Sequence, residues 1–337
     1  MSVNSDDFCI NITNDPDLYF PDGNLVILTR DEVGNHTYFR VHQSILLKHS
    51  KALSDHIFPD SPSPVRDLYD GVPLVEFQED PRDLNTFLKF LYEPFYVFSA
   101  APIQRGDPDI AFKMYGALKL ADKFSIQPLK DTILSYIRED WPLTLQAWDE
   151  REAFYSRRLK NSPGSTMDDV APEPASVIRL AREFESQILP VAFYHLSRLP
   201  VNATYGQHNQ APRYARGVRG YLLSPADREK ASLGRERMLR WIVDRMESLM
   251  LDTWQCKGDE GCHVHIYWRV VVLHRSVIRS MDVLSTLRSM RSHKLERGTS
   301  EPVEDAVCHD CNGRWDQLLN DARCDFFNSL SSFFPDL

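Results

Sequence analysis

The chain has 337 residues, enough for about two domains, and its apolar fraction of 42% and charged fraction of 26% are those of an ordinary globular protein. It carries 39 Lys and Arg against 48 Asp and Glu, a net charge of −9, which argues against a dedicated nucleic-acid-binding protein. The acidic excess is uneven. Residues 213–297 hold 17 basic and 10 acidic side chains, a net charge of +7, so the remainder carries −16. Solvated faces of basic helices are the simplest explanation.

No segment has the 18 or more apolar residues that a membrane-spanning helix needs, and the acidic N-terminus lacks the basic and apolar regions of a secretory signal. We therefore expect an intracellular protein, in the cytoplasm or the nucleus, with no membrane partner. Thiols stay reduced in these compartments. The six cysteines are accordingly expected to be buried thiols or metal ligands and not disulfides.

The first 140 residues alternate short apolar runs with amphipathic segments. Residues 1–17 are polar and are predicted to form a flexible N-terminus. Strands are predicted at residues 25–28, 36–41 and 73–77, where turn-forming residues bound each run. The helices between and after them carry apolar side chains three or four residues apart. The predicted order is strand, strand, helix, helix, strand, helix, loop, helix, helix.

After residue 140 the pattern becomes entirely helical. Residues 141–174 combine a helix with a linker, NSPGSTMDDVAPEP, that is rich in turn-forming residues. Amphipathic segments then fill residues 175–337, and no repeat of 20–50 residues is visible. The sequence thus predicts an α+β domain followed by an all-α region.

Motifs for catalysis are not found. The chain has no Gly-rich phosphate loop, no G-x-S-x-G and no H-E-x-x-H, so we do not expect an enzyme. His42, at the end of the second predicted strand, could be a ligand or a base. It has no Cys, Ser or carboxylate at motif spacing, and a histidine packed at a helix start is the favoured interpretation.

Four of the six cysteines form two pairs, Cys256 with Cys262 and Cys308 with Cys311. The two-residue gap in the second pair lets both sulfurs turn toward one centre, and a structural zinc ion takes four such ligands in a tetrahedron. The first pair has a wider gap than is usual. We predict one structural zinc ion held by these four cysteines. Such a site would staple long helices together and leave no coordination position open for catalysis.

Two alternatives to the four-cysteine site stay open: a mixed site with a histidine, and thiols that hold no metal. A redox role for Cys308-x-x-Cys311 is weaker, because such motifs follow a strand in a βαβ unit. The histidines beside the thiols are His263, His265 and His309. The cysteines outside the pattern, expected to be ordinary thiols, are Cys9 and Cys324.

Several positions in the first 140 residues form an ordered signature. They comprise an acidic residue, an apolar strand, an aromatic second strand, Val-His-x-x-Ile-Leu, and a Ser before a Phe. These are Asp22, Leu25–Leu28, Phe39, Val41, His42, Ile45, Leu46, Ser50 and Phe58. Further landmarks follow at residues 75–80, 87–92 and 118–124. In this order they resemble a BTB/POZ domain, and the proline-rich loops are most similar to fungal members with a helical C-terminal region.

The resemblance implies a BTB/POZ fold, a small sheet packed on a helical cluster, over residues 18–140. A helical C-terminal domain would follow at 175–337, and the cysteine spacing described above is the reason to expect a zinc ion in it. The implied function is protein–protein interaction: self-association, partner recruitment, or adaptation of substrates to a cullin-type ubiquitin ligase. Leu91-Tyr92-Glu93 superficially fits an apolar-x-Glu cullin contact.

One feature qualifies this expectation. Many dimers of the family exchange an N-terminal extension, whereas residues 1–17 are short and polar. The alternative function is a transcriptional regulator that binds DNA through the basic, cysteine-bearing C-terminal region. The arginines of that region are interleaved with Asp and Glu, which disfavours nucleic acid as a partner.

Overall fold

The computed structural model describes residues 10–58, 67–93, 106–200, 202–206, 216–251, 256, 262–291 and 307–337. The chain divides into two units, Met1–Glu139 and Asp140–Leu337. The first unit contains a mixed sheet with helices, and the second is helical. The chain is therefore α+β, with most of its regular structure in helices.

One mixed sheet forms the β part of the first unit. Its strands are β1 (Ile12–Tyr19), β2 (Leu25–Arg30), β3 (His36–Val41), β4 (Leu68–Tyr69) and β5 (Val72–Glu76). Their order is β1-β3-β2-β5-β4; β1–β3 and β2–β5 are parallel, and β2–β3 and β4–β5 are antiparallel. The central strand β2 is buried over Leu25–Leu28, which explains why its sequence is a continuous apolar run without alternation.

Strand β1 corrects one prediction. The sequence places residues 1–17 in a flexible N-terminus, yet Ile12–Tyr19 pairs with β3 and Leu18 is buried. The pairing register shifts between Asn14 and Tyr19, where Asp15 accepts the backbone N–H groups of the following residues. This irregularity removes the alternation of apolar and polar residues by which strands are recognised. Residues 1–9, including Cys9, lie outside the described part of the chain.

Helices pack on the sheet of the first unit. They are α1 (Gln43–His49), α2 (Lys51–Ile57), α3 (Pro81–Tyr92), α4 (Ile110–Lys123) and α5 (Gln127–Asp140). Ser50 begins α2 by accepting the N–H of Leu53. Buried aromatic rings join the elements, with the centroid of Phe124 6.0 Å from Phe77 and 5.8 Å from Phe87. These contacts close the core of the unit.

Both ring nitrogens of His42, between β3 and α1, have partners. Nδ1 lies 3.0 Å from the Tyr92 hydroxyl, and Nε2 lies 3.3 Å from the Asp22 carboxylate. The Tyr92 hydroxyl also accepts the backbone N–H of His42 at 2.7 Å. Phe20 stacks on Tyr92 with ring centroids 5.0 Å apart. His42 is thus a packed histidine, the interpretation that the sequence favours over a ligand or a base.

The second unit is built from helices. They are α6 (Leu145–Asn161), α7 (Pro174–Phe184), α8 (Leu189–Ser197), α9 (Pro225–Leu251), α10 (Cys262–Ser280), α11 (Val283–Ser289), α12 (His309–Asn328) and α13 (Leu330–Phe333). Short 3₁₀ turns occur at Met167–Asp169, Ser186–Ile188 and Gly220–Leu222. Across the described parts of both units, no helix is both long and apolar enough to span a lipid bilayer.

The predicted linker between residues 161 and 174 is packed into the second unit. Met167, Val170 and Ala171 are buried against Tyr155 of α6. Glu173 then accepts the first N–H groups of α7 and begins that helix. The turn-forming residues correctly indicate a loop, but its apolar side chains hold it in place. The segment is therefore a packed loop and not a spacer between domains.

A cluster of charges, with largely buried arginines and partly exposed carboxylates, connects several parts of the second unit. Glu152 of α6 accepts from Arg198 and Arg216, each at 3.2 Å, and Arg198 also donates to Asp282 at 2.8 Å. The Arg198 guanidinium lies 4.9 Å from the ring centroid of Trp148. Burial favours a raised pKa for Glu152, but the two arginines prevail and hold this pKa well below its ordinary value.

We expect Glu152→Gln to lower the free energy of unfolding by about 2 kcal/mol at pH 7, because it removes the carboxylate that Arg216 and Arg198 share and leaves Arg198 with Asp282 alone. A depressed pKa means that the native contribution of Glu152 is present above its unfolded pKa of 4.5 and is lost as the pH falls. Urea denaturation of both proteins at pH 7 and pH 4 measures this, and the difference between them should shrink at pH 4.

The matched control is Glu150→Gln, which alters an exposed glutamate on the same helix. Its effect should stay below about 0.5 kcal/mol. Equal destabilisation by the two substitutions would contradict a special role for Glu152.

Candidate metal centre

The four predicted zinc ligands lie together in the second unit. The Sγ atoms of Cys256, Cys262, Cys308 and Cys311 are all within 4.8 Å of one another. Sγ of Cys256 is 3.6 Å from Sγ of Cys262 and 3.6 Å from Sγ of Cys308. A disulfide would need about 2.05 Å. A tetrahedron with ligands about 2.3 Å from zinc has edges of about 3.8 Å, close to the separations found. The four cysteines could therefore hold a metal ion.

Three of these sulfurs lie at the N-termini of two helices. Cys262 is the first residue of α10, Cys308 immediately precedes α12, and Cys311 lies in the first turn of α12. Helix N-termini carry partial positive charge and unpaired N–H groups, which favour thiolates. One such interaction is direct, since the N–H of Cys308 donates to Sγ of Cys262 at 3.3 Å. The helix N-termini and this N–H group would therefore partly offset the negative charge of four thiolates.

The thiols differ in acidity. The backbone N–H of Cys311 and the neighbouring thiols lower the pKa of Cys308 to about 7. Burial, with the other cysteines close by, raises the pKa of Cys311 to about 12. At neutral pH one sulfur therefore ionises readily and another does not. Binding of a divalent cation would displace the remaining protons, so metal affinity should rise with pH.

The neighbouring histidines are not part of the sulfur group. Among the described residues, the close set of ligand atoms consists of the four sulfurs. The side chain of His309 is fully exposed and lies 3.9 Å from the Asp310 carboxylate. His263 is exposed and His265 is half-buried. Cys324 is exposed on α12 and lies outside the group.

The geometry suits a structural metal. Four protein ligands fill a tetrahedral site and leave no coordination position for water or a substrate. The site would tie the start of α10 to the start of α12, and Cys262 and Cys308 are 46 residues apart in the sequence. Closing such a long loop costs conformational entropy, which the metal–sulfur bonds would offset.

The charged cluster around Glu152 is a feature that the sequence analysis does not identify. Its arginines lie 46 and 64 residues from Glu152, so no local spacing signals the contact. The only available signal is the basic excess of residues 213–297, to which Arg216 belongs. That excess is explained above as solvated helix faces, whereas Arg216 is largely buried.

Comparisons with known proteins leave the family of the chain open. No family model matches it, and neither the curated proteins nor the solved structures compared with it contain a match. The BTB/POZ resemblance therefore rests on the residues of the chain itself, from Asp22 to Phe58 and at 75–80, 87–92 and 118–124.

The purified full chain is expected to contain one zinc ion per molecule, and Cys262→Ser should reduce this content and lower Tm by roughly 5 °C or more. Elemental analysis and thermal unfolding measure the two effects. Cys324→Ser is the matched control, because it removes a thiol outside the group and should change neither quantity. Wild-type protein without zinc would contradict the prediction.

In protein stripped of metal by a chelator, iodoacetamide should alkylate Cys308 first, with a rate that rises around pH 7. Cys311 should react slowest because its pKa is about 12. Peptide mass spectrometry after timed labelling resolves the two sites. Restoring zinc should protect both thiols. Equal labelling rates of Cys308 and Cys311 in the stripped protein would contradict the difference between their pKa values.

Proposed function

We propose that the chain is a protein–protein interaction protein whose first unit is a BTB/POZ-type module. The observation that carries the proposal is that residues named by the resemblance meet in space. Asp22 and Tyr92 bind the two ring nitrogens of His42. Ser50 starts α2, and its hydroxyl donates to the carbonyl of Phe124. Residues far apart in the signature thus support one another, although the step from fold to function is by analogy.

The outer strand β1 supports self-association as the form of that interaction. Within the described part of the chain it lies at one edge of the sheet, with β3 as its neighbour. Ile10 and Ile12 at its start, and Val33 in the turn before β3, are each more than half exposed. An edge strand with exposed apolar side chains can add to a strand of another chain. Residues 12–19 form a strand where the sequence predicts a flexible segment, and this supports β1 as the interacting edge.

Adaptation to a cullin-type ubiquitin ligase is the finer alternative within this proposal. Of the tripeptide that fits the contact pattern, Leu91 is buried and Tyr92 is bonded to His42. Only Glu93 is exposed. The tripeptide therefore serves the core of the unit, and a cullin contact would have to use Glu93 with other surface residues.

DNA binding through the basic segment is the weaker alternative, because much of that charge has partners. Several arginines between residues 213 and 297 form ion pairs within the second unit. These pairs are Arg216–Glu152, Arg219–Glu173, Arg240–Glu236, Arg245–Asp325 and Arg288–Asp149. Arg235 donates to the carbonyls of Ser197 and Leu199. A DNA-binding surface needs cations that are free to neutralise phosphates.

Self-association through β1 predicts that Ile12→Lys converts a dimer of the full chain to a monomer, because a charged side chain disrupts strand addition at an edge. Light scattering coupled to size-exclusion chromatography measures the mass. Leu68→Lys is the matched control: Leu68 is equally exposed but belongs to β4, at the opposite edge of the sheet. The Leu68→Lys variant should have the same mass as the wild-type protein.

A monomeric wild-type chain at micromolar concentration would contradict self-association. Capture of a purified cullin-type scaffold by the full chain, lost with Glu93→Lys, would instead support the adaptor role. Salt-dependent binding to duplex DNA, strong at about 50 mM salt, would favour the transcriptional alternative.

A further inference from the structure

Helix α10 is apolar on two opposite faces. Its inner face is buried in the second unit, at Cys262, Ile266, Val270, Leu273 and Val277. Its outer face carries large apolar side chains that remain accessible to solvent. These are Val264 (46% exposed), Tyr267 (54%), Trp268 (49%) and Ile278 (64%). A surface helix normally carries an apolar stripe on one side only, so the second stripe calls for an explanation.

The outer residues form one continuous line. Val264, Val271 and Ile278 are spaced by seven residues, the repeat that keeps side chains along a single seam when two helices pack side by side. Tyr267 and Trp268 lie three and four residues after Val264 and therefore beside it. We call these five residues the outer face of α10. Their type and spacing are those of a helix that packs against another helix.

We propose that the outer face of α10 is the docking site for an acidic amphipathic helix of a partner protein. The charge of α10 identifies the partner. None of its 19 residues is Asp or Glu, and Arg275 and Arg279 are exposed on or next to the outer face. Apolar residues of the partner would cover the seam, and flanking carboxylates would meet the arginines.

Two other occupants fit less well. A second copy of the chain would bring two arginine-bearing faces without any acid together, and like charges disfavour that pairing. The segments that flank α10 and α11 in sequence are KGDEG at 257–261 and SHKLERGTSEPVEDA at 292–306. They contain too few large apolar side chains to cover a seam two heptads long.

The residue types on and beside the outer face are those found at the centres of protein–protein interfaces. Trp, Tyr and Arg are the residues that most often dominate interface energies, and all three occur here within one stretch of helix. The Tyr267 and Trp268 rings contact each other edge to face, with centroids 6.5 Å apart. The first residue of the helix, Cys262, belongs to the sulfur group. The surface lies in the second unit, so it goes beyond the self-association proposed for β1.

The test uses the full chain and two synthetic helical peptides with the same leucine heptads, one flanked by Glu and the other by Lys. Fluorescence anisotropy should give at least about tenfold tighter binding of the Glu peptide. Ile278→Glu should weaken that binding at least about tenfold. Leu233→Glu is the matched control, since Leu233 is an exposed apolar residue on α9, and it should leave binding unchanged.

Arg275→Glu provides a second variant that leaves the apolar seam intact. This variant should bind the Glu peptide more weakly and the Lys peptide more tightly than the wild type does. General misfolding would not produce such a reversal. Absence of binding, equal binding of both peptides, or equal effects of Ile278→Glu and Leu233→Glu would each overturn the proposal. A dimer that Ile278→Glu dissociates would also overturn it, in favour of a second copy. Ile12→Lys should not affect peptide binding, which separates this test from that of β1.

Discussion

A partly buried carboxylate held between two arginines links distant segments of the second unit. Glu152 lies on α6, Arg198 follows α8, Arg216 precedes α9, and Asp282 starts α11. A charge removed from water is tolerated only when an opposite charge and hydrogen bonds replace its hydration. Packings that separate these segments are therefore disfavoured. The apolar faces of helices alone would permit many alternative arrangements, so the ion pairs supply specificity that periodicity cannot.

The sequence predicts most of the first unit because its patterns are local. The apolar run at Leu25–Leu28 and the alternation at His36–Val41 correspond to β2 and β3. The sequence does not predict β1. The Asp15 carboxylate accepts the backbone N–H of Leu18, which interrupts the regular strand, and the strand with which β1 pairs lies later in the chain. Pairing with β3 holds the strand, and such long-range pairing leaves no trace in the spacing of residues 12–19.

The candidate metal centre shows the same division between local and long-range information. The gap between Cys308 and Cys311 predicts that their sulfurs share a centre, since it is a property of a few residues. Their proximity to Cys256 depends instead on where α9, α10 and α12 pack. The sequence could indicate Cys256 and Cys262 as a second pair but could not give the 3.6 Å separation between the Cys256 and Cys308 sulfurs. Nor could it indicate that His309 faces solvent, because that depends on the orientation of the first turn of α12.

Helix α10 brings these constraints together. Its inner face is buried in the second unit, and its first residue, Cys262, belongs to the group of four sulfurs that could hold a metal ion. A preordered helix loses little conformational entropy when it binds, and more of the contact energy remains as affinity. The coupling also has a direction. Val264 lies two residues from Cys262, whereas Ile278 lies four turns further along the helix. If a metal ion binds the four sulfurs, its loss would disturb the Val264 end of the outer face before the arginine-flanked Ile278 end.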